Sequence, residues 1–582
     1  MAFGYEFVTL NQEQKHARRV LLEYYPKIAQ VSVLLVVALF QLTFFISWFA
    51  KRGQSEPGSP SLSKAKEKWG FLKGFRRGLT SMKWWLKKPL ISAWDCGSRG
   101  DWAFGSIWTL WLLTLCLLQT GNDYLHLTKR FGIIGASQLP FHYLLAMRSP
   151  YSPVQYLTRM SHEELKASHG VLGRIIYFLF ALHVIFYMIF FVLSGFLAKR
   201  IKDRDVIFGI ISFVLFSVMS TTALGKLRNW NYRVFYNTHV FIANLIIISL
   251  FLHVSHIRIY IYQVILVNAI HQILRNFSFT IYSGSIKVLP GTNLVQLRIP
   301  LPPTDSAVKW KPGQHVYLSR PAGYSNADSA YDNLLMRNKQ NPFTVASLPS
   351  VDKELLLVAR TLNGNTKDLA DLARKVATEE IPEISLAVEG PYGSSKRLPD
   401  FSSFDKILLV AGGVGATFMV PIYRSLVSDT GFGIASSKIR FIWTVRTLGE
   451  TQWAFPLSCE REEDGSPQGL HSHGSNIEVF VTRTSGSNLN ARTSASGDDI
   501  ELAENEQLLS LEEQIEKPPR GMSIQAGRPN LPAVVDEVFR KGHRVAVFCC
   551  GPKSLTERLS QSVERWDRKG YDVYWHDESF AW

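Results

Sequence analysis

Four histidines form two pairs whose spacing along the chain is identical. His169 and His183 are fourteen residues apart, and His239 and His253 are separated by the same number. At about 100° per residue, fourteen steps end about 40° short of four full turns, so both members of a pair lie on one helix face. Their axial separation of about 21 Å is most of the thickness of a bilayer's hydrocarbon core. The spacing therefore predicts two histidine levels within two long helices.

The helices that must carry these histidines are predicted membrane spans. A span needs about 20 mostly apolar residues, and seven stretches qualify: Ile28–Ala50, Trp102–Thr120, Phe131–Met147, Val171–Ala198, Val206–Leu224, Val234–Val254 and Ile257–Ile273. The histidine pairs bracket most of the fourth and sixth stretches. Because one span lies between these two, they cross the membrane in the same direction. His169 is then level with His239, and His183 is level with His253.

Two imidazoles at one level suit the axial positions of a porphyrin iron. The alternative is four unrelated histidines at helix ends or in a polar bundle core. A histidine inside a membrane is costly and usually functional, however, and the repeated spacing argues against coincidence. The pattern predicts two b-type haems, one held by His169 and His239 and the other by His183 and His253.

The other polar residues of this region lack such a pattern. Five histidines are interpreted as interfacial or structural: His126, His142, His162, His256 and His271. Arg174 lies one turn inside the fourth span, near His169. It is suited to pairing with a haem propionate, since a buried cation needs an anion. Snorkelling of its guanidinium to the cytosolic interface explains it equally well.

Charge is distributed unevenly along the 582 residues, whose formal net charge is +16. The basic excess lies largely in Lys51–Gly100, which contains twelve Lys and Arg against three acidic residues. The positive-inside rule explains this segment better than nucleic-acid binding does, and it places the segment in the cytosol. The N-terminus is then outside and the C-terminal half inside. Four basic residues in Lys199–Arg204, on the predicted outer side, oppose this orientation.

Neither the cysteines nor the N-terminal residues point to a secreted protein. The five cysteines are scattered, with no disulfide framework or zinc spacing. Met1–Tyr25 is polar and of mixed charge, so we do not expect a cleavable signal peptide. The first span would then act as its own insertion signal.

A flavin site is predicted in a strand-rich region that begins near residue 280. The first motif is the run from Asn341 to Ser347, which includes Pro342. Within it Thr344 and Ser347 offer hydroxyls, and Phe343 offers an apolar wall for a flat ring. Gly364 and Thr366 precede a helical pattern, and a helix N-terminus is a natural seat for a pyrophosphate. The strands and their Pro and Gly punctuation predict an antiparallel barrel.

A nucleotide site is predicted in the α/β pattern that begins at Lys406. Gly412, Gly413 and Gly415 follow an apolar strand and precede a helix, where glycine lets the backbone approach phosphates or a nicotinamide. A tight turn is the alternative. Cys550, Gly551 and Pro552 close a later strand at its carboxyl end, where α/β sheets place ligands. Arg446 ends another strand and could hold a ribose 2′-phosphate, which would favour NADPH; a surface arginine is equally plausible.

Taken together, these motifs resemble fungal ferric reductases, the metalloreductase branch of the NADPH oxidase superfamily. The resemblance covers Trp102 to Trp582 and rests on the motifs in their order: the two histidine pairs, Lys311-Pro312-Gly313-Gln314-His315, Asn341-Pro342-Phe343-Thr344, Gly390-Pro391-Tyr392-Gly393, Ala411-Gly412-Gly413-Val414-Gly415, Cys550-Gly551-Pro552, Gly527-Arg528-Pro529-Asn530 and the aromatic C-terminus.

The resemblance implies a ferredoxin-reductase-type module behind a multi-span α-helical haem domain. It implies haem ligation by the four paired histidines and FAD contacts from His315, Pro342, Phe343 and Thr344. It also implies NADPH contacts around Gly412–Gly415 and Cys550–Pro552. Thr344 and Cys550 are the predicted catalytic residues. Two departures from the family are expected: Asn341 stands where histidine is frequent, and we expect neither a large outer N-terminal domain nor a signal peptide.

The implied domains are 1–100, an N-terminal span with the basic cytosolic segment; 101–275, the transmembrane haem domain; 280–400, the FAD-binding barrel; and 401–582, the NADPH-binding α/β domain. The Ser-, Gly- and Glu-rich interval 485–525 is predicted to be a disordered insertion in the last of these.

Three functions remain open at this level. The first is reduction of ferric or cupric chelates or siderophores across the plasma membrane or a vacuolar membrane, with a metal permease as a possible partner and the FAD and NADPH domains in the cytosol. The second is a superoxide-generating NADPH oxidase with the same electron path. The third, a transporter or channel with a regulatory tail, predicts neither haem nor flavin. The equal spacing of the two histidine pairs resembles the spacing in the metalloreductases.

Overall fold

The protein consists of two compact units, Met1–Phe277 and Ser278–Ala581. The structure, a computed structural model, describes residues 4–52, 78, 81–82, 84–90, 97–149, 151–303, 310–319, 341–362, 365–393, 398–427, 434–454, 477–482 and 522–578. The predicted site residue Gly364 lies outside the described residues.

The first unit is a bundle of long helices. They are α1 (Gln12–Arg52), α2 (Arg99–Leu117), α3 (Tyr124–Leu145), α4 (His162–Leu193), α5 (Arg204–Thr222), α6 (Tyr232–His253) and α7 (Arg258–Asn276), with short helices at Pro153–Thr158, Leu197–Arg200 and Gly225–Trp230. Helix α3 is the centre of the bundle, since it packs against α1, α2, α4 and α7 and most of its residues are buried.

Five helices in the part of the chain that the structure describes are long and apolar enough to cross a membrane: Gln12–Ile46, His162–Leu193, Arg204–Thr222, Val234–His253 and Ser255–Asn276. They correspond to five of the seven predicted spans. The other two predictions, Trp102–Thr120 and Phe131–Met147, correspond to α2 and α3, which are helices but are not among these five. Charged residues near the N-terminal ends of both helices, Asp101 in the first turn of α2 and Lys129 in the second turn of α3, lower their mean hydropathy.

The second unit begins with an antiparallel sheet, as predicted. Its strands are β1 (Phe279–Val288), β2 (Leu294–Pro300), β3 (Gln314–Ser319), β4 (Asn341–Thr344), β5 (Glu354–Arg360) and β6 (Ile384–Gly393), in the order β4-β3-β6-β1-β2-β5. A bridge between Val345 and Leu357 brings the two edges together, so the sheet is nearly closed. Its interior is filled by alternating aliphatic residues such as Val295, Leu297 and Leu355. Helix α8 (Asn365–Thr378) packs against β1.

A parallel six-stranded sheet follows, with the order β10-β9-β8-β7-β11-β12. Its elements are β7 (Lys406–Gly412), α9 (Ala416–Val427), β8 (Ile439–Val445), β9 (Ile477–Val481), β10 (Met522–Ala526), α10 (Leu531–Lys541), β11 (Arg544–Cys550), α11 (Lys553–Arg568) and β12 (Asp572–Glu578). The central strands are buried on both faces, which explains their continuous apolar runs. The predicted fold class, a helical membrane domain followed by a barrel and an α/β domain, is confirmed.

One predicted boundary is wrong. The expected disordered insertion, 485–525, includes residues that form a strand, because Met522–Ala526 pairs in parallel with Ile477–Val481. The strand is short and its side chains are largely exposed, so the Ser-, Gly- and Glu-rich composition of the preceding residues dominated the prediction. The rest of that interval lies outside the described residues.

Candidate functional site

The two histidine pairs lie on two continuous helices, as their spacing predicts. His169 and His183 are on α4, and His239 and His253 are on α6. The imidazole rings of His169 and His239 face each other, with ring centres 6.2 Å apart and planes inclined by 65°. Residues on separate helices, 70 positions apart in the sequence, are therefore brought to one level.

Hydrogen bonds to neighbouring helices orient three of these four rings. The Nδ1 atom of His169 contacts the carbonyl oxygen of His142 at 3.1 Å, and that of His183 contacts Thr128 O at 2.8 Å. His253 Nδ1 contacts Asp205 O at 2.5 Å. Because a carbonyl oxygen only accepts, each Nδ1 must carry the proton, and the Nε2 lone pair is left for another partner.

This arrangement fits haem iron. An imidazole nitrogen binds a metal at about 2 Å, with its ring centre roughly 1 Å behind, so two imidazoles on one iron have ring centres about 6 Å apart. The 6.2 Å between His169 and His239 matches that spacing. Metal-binding histidines also characteristically donate their second N–H to a carbonyl or carboxylate, as three of these four do. The four residues could therefore hold two haems in the pairing that the sequence predicts.

Arg174 does not decide between its two interpretations. Its Nε donates to the Gly170 carbonyl within its own helix at 3.1 Å, and its guanidinium lies 5.6 Å from the ring centre of Trp102. Pairing of Arg174 with a haem propionate remains a prediction.

The predicted flavin residues meet on two adjacent strands of the barrel. In the antiparallel pairing of β3 and β4, His315 lies opposite Thr344 and Val316 lies opposite Phe343. Tyr317 lies opposite Pro342 in the same ladder. The Thr344 side chain is 7 % exposed, and its hydroxyl has no hydrogen-bond partner among the residues that the structure describes. A nearly buried hydroxyl of this kind is suited to a ligand, because burial without a hydrogen bond is unfavourable.

Tyr392, which was predicted only as part of a sequence motif, places an aromatic ring beside His315. The Tyr392 ring lies 5.9 Å from that of His315 at an angle of 25°, and its hydroxyl donates to Glu389 at 2.6 Å. The position of Tyr392 opposite His315 in the pairing of β3 with β6 produces the stack. Its signal in the sequence was the Gly-Pro-Tyr-Gly run, where Gly393 has a φ of +109°.

Two other predicted flavin contacts are engaged within the protein. The Ser347 hydroxyl donates to Glu354 O at 2.7 Å and accepts from the Leu356 N–H at 3.0 Å, which favours a structural role between β4 and β5. Thr366 accepts from the Leu362 N–H at 2.9 Å in the first turn of α8. Its hydroxyl proton and the helix N-terminus remain suited to a pyrophosphate.

The predicted nucleotide residues come together at the carboxyl edge of the parallel sheet. Strands β7 and β11 are neighbours, so the loops that follow them meet. A Cβ on Gly415 would lie 2.2 Å from the Cys550 carbonyl oxygen, and one on Gly412 would lie 2.7 Å from Pro552 Cδ. Glycine is therefore required for the loops to touch, and a Cβ on Gly551 would lie 3.0 Å from Gly412 N on the other side of the contact.

The surroundings of this edge are suited to a nucleotide. Gly413 has a φ of +54°, and its carbonyl accepts a hydrogen bond from the Trp443 indole at 3.0 Å. The Thr444 hydroxyl, beside Gly412 in the sheet, is buried and has no hydrogen-bond partner among the described residues. Arg446 is exposed at the same edge, where its side chain is free to reach a phosphate. Sequence reasoning missed Thr444, because a single strand threonine carries no signal.

Cys550 is placed differently from an exposed reactive thiol. Its side chain is fully buried in the core of the α/β domain, and its backbone carbonyl is what contacts Gly415. Burial raises the pKa of the Cys550 thiol well above its usual range, and it raises that of Cys549 to about 12. Both cysteines are thus neutral thiols at physiological pH, and any role of Cys550 at the nicotinamide must use the thiol rather than a thiolate.

Comparisons with known proteins agree with this division of the chain. Residues 131–250 match the ferric reductase like transmembrane component, 278–396 an FAD-binding domain, and 404–564 the ferric reductase NAD binding domain. A probable metalloreductase, AIM14, of Scheffersomyces stipitis is 24% identical, covering 85% of this chain and 90% of the relative.

Two further relatives are similar over less of their length. Ferric reductase transmembrane component 4 of Saccharomyces cerevisiae is 25% identical over 73% of this chain and 58% of the relative. Dual oxidase 2 of Rattus norvegicus is 25% identical over 62% of this chain but only 23% of its own.

The apolar helices, the near-closed barrel and the glycine-lined edge of the parallel sheet define an integral membrane oxidoreductase with FAD- and NAD(P)H-binding domains. The chain therefore contains a ferric reductase like transmembrane component, an FAD-binding domain and a ferric reductase NAD binding domain, and it is similar to curated metalloreductases and ferric reductases.

Proposed function

We propose that this protein transfers electrons from NADPH, through FAD and two haems, across a membrane to ferric or cupric chelates on the far side. The observation that carries the proposal is the pairing of His169 with His239, whose ring centres are 6.2 Å apart. The matched ferric reductase like transmembrane component, and relatives named as a probable metalloreductase and a ferric reductase transmembrane component, support the acceptor. Iron or copper uptake, with a permease as partner, at the plasma membrane or a vacuolar membrane, is the role that this activity would serve.

Each group of residues has a defined task. When bound, NADPH, FAD and haem iron would supply hydride donation, conversion between two-electron and one-electron transfer, and one-electron transfer, respectively. The glycines at 412, 415 and 551 let the backbone lie close to the nucleotide. The Thr344 hydroxyl is suited to hydrogen-bond the reactive edge of the flavin ring, and the His315–Tyr392 stack supports the strand that carries it.

The histidine pairs also restrict the acceptor. His169 with His239, and His183 with His253, would each hold a haem iron through two imidazoles, so reduction of an acceptor would not require its binding to the iron. This favours reduction of a metal chelate without ligand exchange. The Nδ1 contacts of His169, His183 and His253 keep each Nε2 directed away from the carbonyl that holds the ring.

The experiment that tests the proposal is an anaerobic difference spectrum of membranes containing the protein, after addition of NADPH and then of a ferric chelate. We expect reduced b-type haem bands with NADPH and their loss on adding ferric iron. The variant His239→Ala should lose part of the haem absorbance, whereas His16→Ala, at an exposed position of α1, should not. Absence of haem bands in the wild-type protein would refute the proposal.

A superoxide-generating NADPH oxidase is the second candidate, because Dual oxidase 2 is similar over the shared domains. The two candidates differ in their acceptor. If haem bands form with NADPH and are lost only when oxygen is admitted, with superoxide-dismutase-sensitive product, the oxidase is favoured. If ferric chelate restores the oxidised spectrum under argon, the metalloreductase is favoured.

A further inference from the structure

Three imidazole rings in the first unit, Met1–Phe277, pack on a neighbouring helix in the same way. One ring nitrogen contacts the carbonyl of a residue, and the ring lies over a glycine four positions later, where a Cβ would approach within 3 Å. The three sets are His183 on Thr128 and Gly132, His253 on Asp205 and Gly209, and His142 on His169 and Gly173. Two of these histidines are predicted haem ligands, and the third, His142, is not.

His142 differs from His183 and His253 because its ring also stacks on the ring of the residue whose carbonyl it contacts, His169. Its ring lies parallel to that of His169, with centres 3.9 Å apart and planes inclined by 17°. Its Nε2 donates to the His169 carbonyl at 3.1 Å, and His169 Nδ1 donates to the His142 carbonyl at the same distance. The two residues therefore hold each other through two hydrogen bonds and a stack.

The local structure of both helices permits this contact. His142 lies in the last turn of α3, where carbonyl groups have no partner four residues later within the helix. The Ala146 N–H, which would otherwise serve His142, donates to Tyr143 at 3.2 Å instead. On α4, a Cβ at Gly173 would lie 2.9 Å from His142 Nε2, so the glycine makes room for the ring.

We propose that His142 is a positioning residue that sets the ring plane of the haem ligand His169. This inference rests on the proposed function. A hydrogen bond at Nδ1 fixes the tautomer but leaves the ring some rotation about that bond, whereas a parallel stack opposes the rotation. His142 Nε2 is committed to the His169 carbonyl, so this nitrogen is not available to the iron. The 65° angle between the planes of His169 and His239 is what the stack maintains.

The angle between two axial imidazole planes has measurable consequences. It controls how the imidazole π orbitals overlap with the iron d orbitals, and hence the g-value anisotropy of the low-spin ferric haem. Groups that orient a metal ligand also tune its basicity and the reduction potential of the metal. A role in positioning should therefore appear in the spectrum of one haem and not in that of the other.

The test uses the full-length protein in detergent, with low-spin EPR and an optical redox titration that separates two haem components. His142→Ala removes both the stack and the Nε2 bond, His142→Phe keeps a ring, and Gly173→Ala crowds the ring while keeping both histidines. His239→Ala identifies the component that this pair holds. Gly209→Ala is the matched crowding control at His253, and His126→Phe is a control at another buried histidine of α3.

We expect His142→Ala and Gly173→Ala to change the g values of the component identified by His239→Ala, and to change its reduction equilibrium constant by about tenfold. His142→Phe should give a smaller change. Gly209→Ala should affect the other component, and His126→Phe should leave the first component unchanged. If His142→Ala does not assemble, His142→Phe and Gly173→Ala decide the outcome.

Wild-type g values in all His142 and Gly173 variants, or equal shifts in both components, would overturn the inference while leaving the proposed function intact. A wild-type protein without haem bands would instead refute the proposed function itself.

Discussion

Single glycines decide whether the two nucleotide loops can meet. Ala at position 415 would place its Cβ 2.2 Å from the Cys550 carbonyl oxygen, a contact with backbone that cannot rotate away. We expect Gly415→Ala to raise the KM for NADPH by at least roughly tenfold, since small displacements at a binding loop are expensive, and to lower the free energy of unfolding by roughly 1–3 kcal/mol.

Gly542→Ala is the matched control, because its Cβ would crowd the Lys406 and Asp405 side chains at the opposite edge of the same sheet. It should lower stability with little effect on the KM for NADPH. Steady-state kinetics and thermal unfolding of both variants measure the difference. Equal changes in KM would show that the loop contact is not specific to nucleotide binding.

The neighbouring thiols give a second prediction for single residues. Burial raises the pKa of Cys549 to about 12 and raises that of Cys550 as well, and both side chains are fully buried. Iodoacetamide should therefore label neither residue in the folded protein at neutral pH, but both in denaturant, as mass spectrometry of the peptides would show. Rapid labelling of Cys550 in the native state would contradict its burial.

The same shifts predict how stability depends on pH. A thiol whose pKa is raised on folding stays protonated in the native state where the unfolded chain has lost its proton. Stability contributed by these thiols should accordingly fall as pH rises above about 9, by at most about 1.4 kcal/mol per pH unit for each. Urea unfolding at neutral and alkaline pH tests this, and the double variant Cys549→Ala and Cys550→Ala should show a weaker dependence.

At the scale of secondary-structure elements, an ion pair joins the short helix Pro349–Asp352, between β4 and β5, to α9. Arg424 on α9 contacts both carboxylate oxygens of Asp352 at 2.7 Å, and the side chains are 18 % and 7 % exposed. Removal of Arg424 leaves the nearly buried Asp352 carboxylate without this ion pair. We expect Arg424→Ala to cost about 2 kcal/mol, between the values for buried and exposed pairs.

Arg374→Ala is the comparison for this prediction. Its pair with Asp371 on α8 has similar distance but is more than half exposed on both sides, so its loss should cost less than about 0.5 kcal/mol. Unfolding in detergent, followed by tryptophan fluorescence, measures both. A cost for Arg424→Ala as small as that of Arg374→Ala would mean that the pair is well solvated.

At the scale of the whole molecule, the distribution of charge predicts the orientation in the membrane. The basic segment Lys51–Gly100 should remain in the cytosol, and an odd number of spans would place residues before α1 on the opposite side from the second unit. An epitope tag before Gln12 should be accessible on intact cells or vacuoles from the outer or luminal side, and a tag after Trp582 only from the cytosol. Tags accessible on one and the same side would establish an even number of spans.

Much of this architecture could be predicted from local patterns. The fourteen-residue spacing places His169 and His183 on one helix face because helix geometry is periodic. Apolar runs indicate membrane spans and central strands because these elements are apolar on all sides. The glycines after β7 indicated the turn in which they lie. The family resemblance, carried by motifs in a particular order, is confirmed by the matched domains.

Contacts between residues far apart in the chain could not be predicted in this way. The use of the Ser347 hydroxyl between two strands, the edge strand at Met522–Ala526 and the burial of Cys550 each depend on which elements pack together. His142 is the clearest case. The sequence by itself determined the two histidine levels, because periodicity along one helix needs no neighbour. Only the tertiary structure decided that His142 stacks on His169, because that contact depends on how two helices cross.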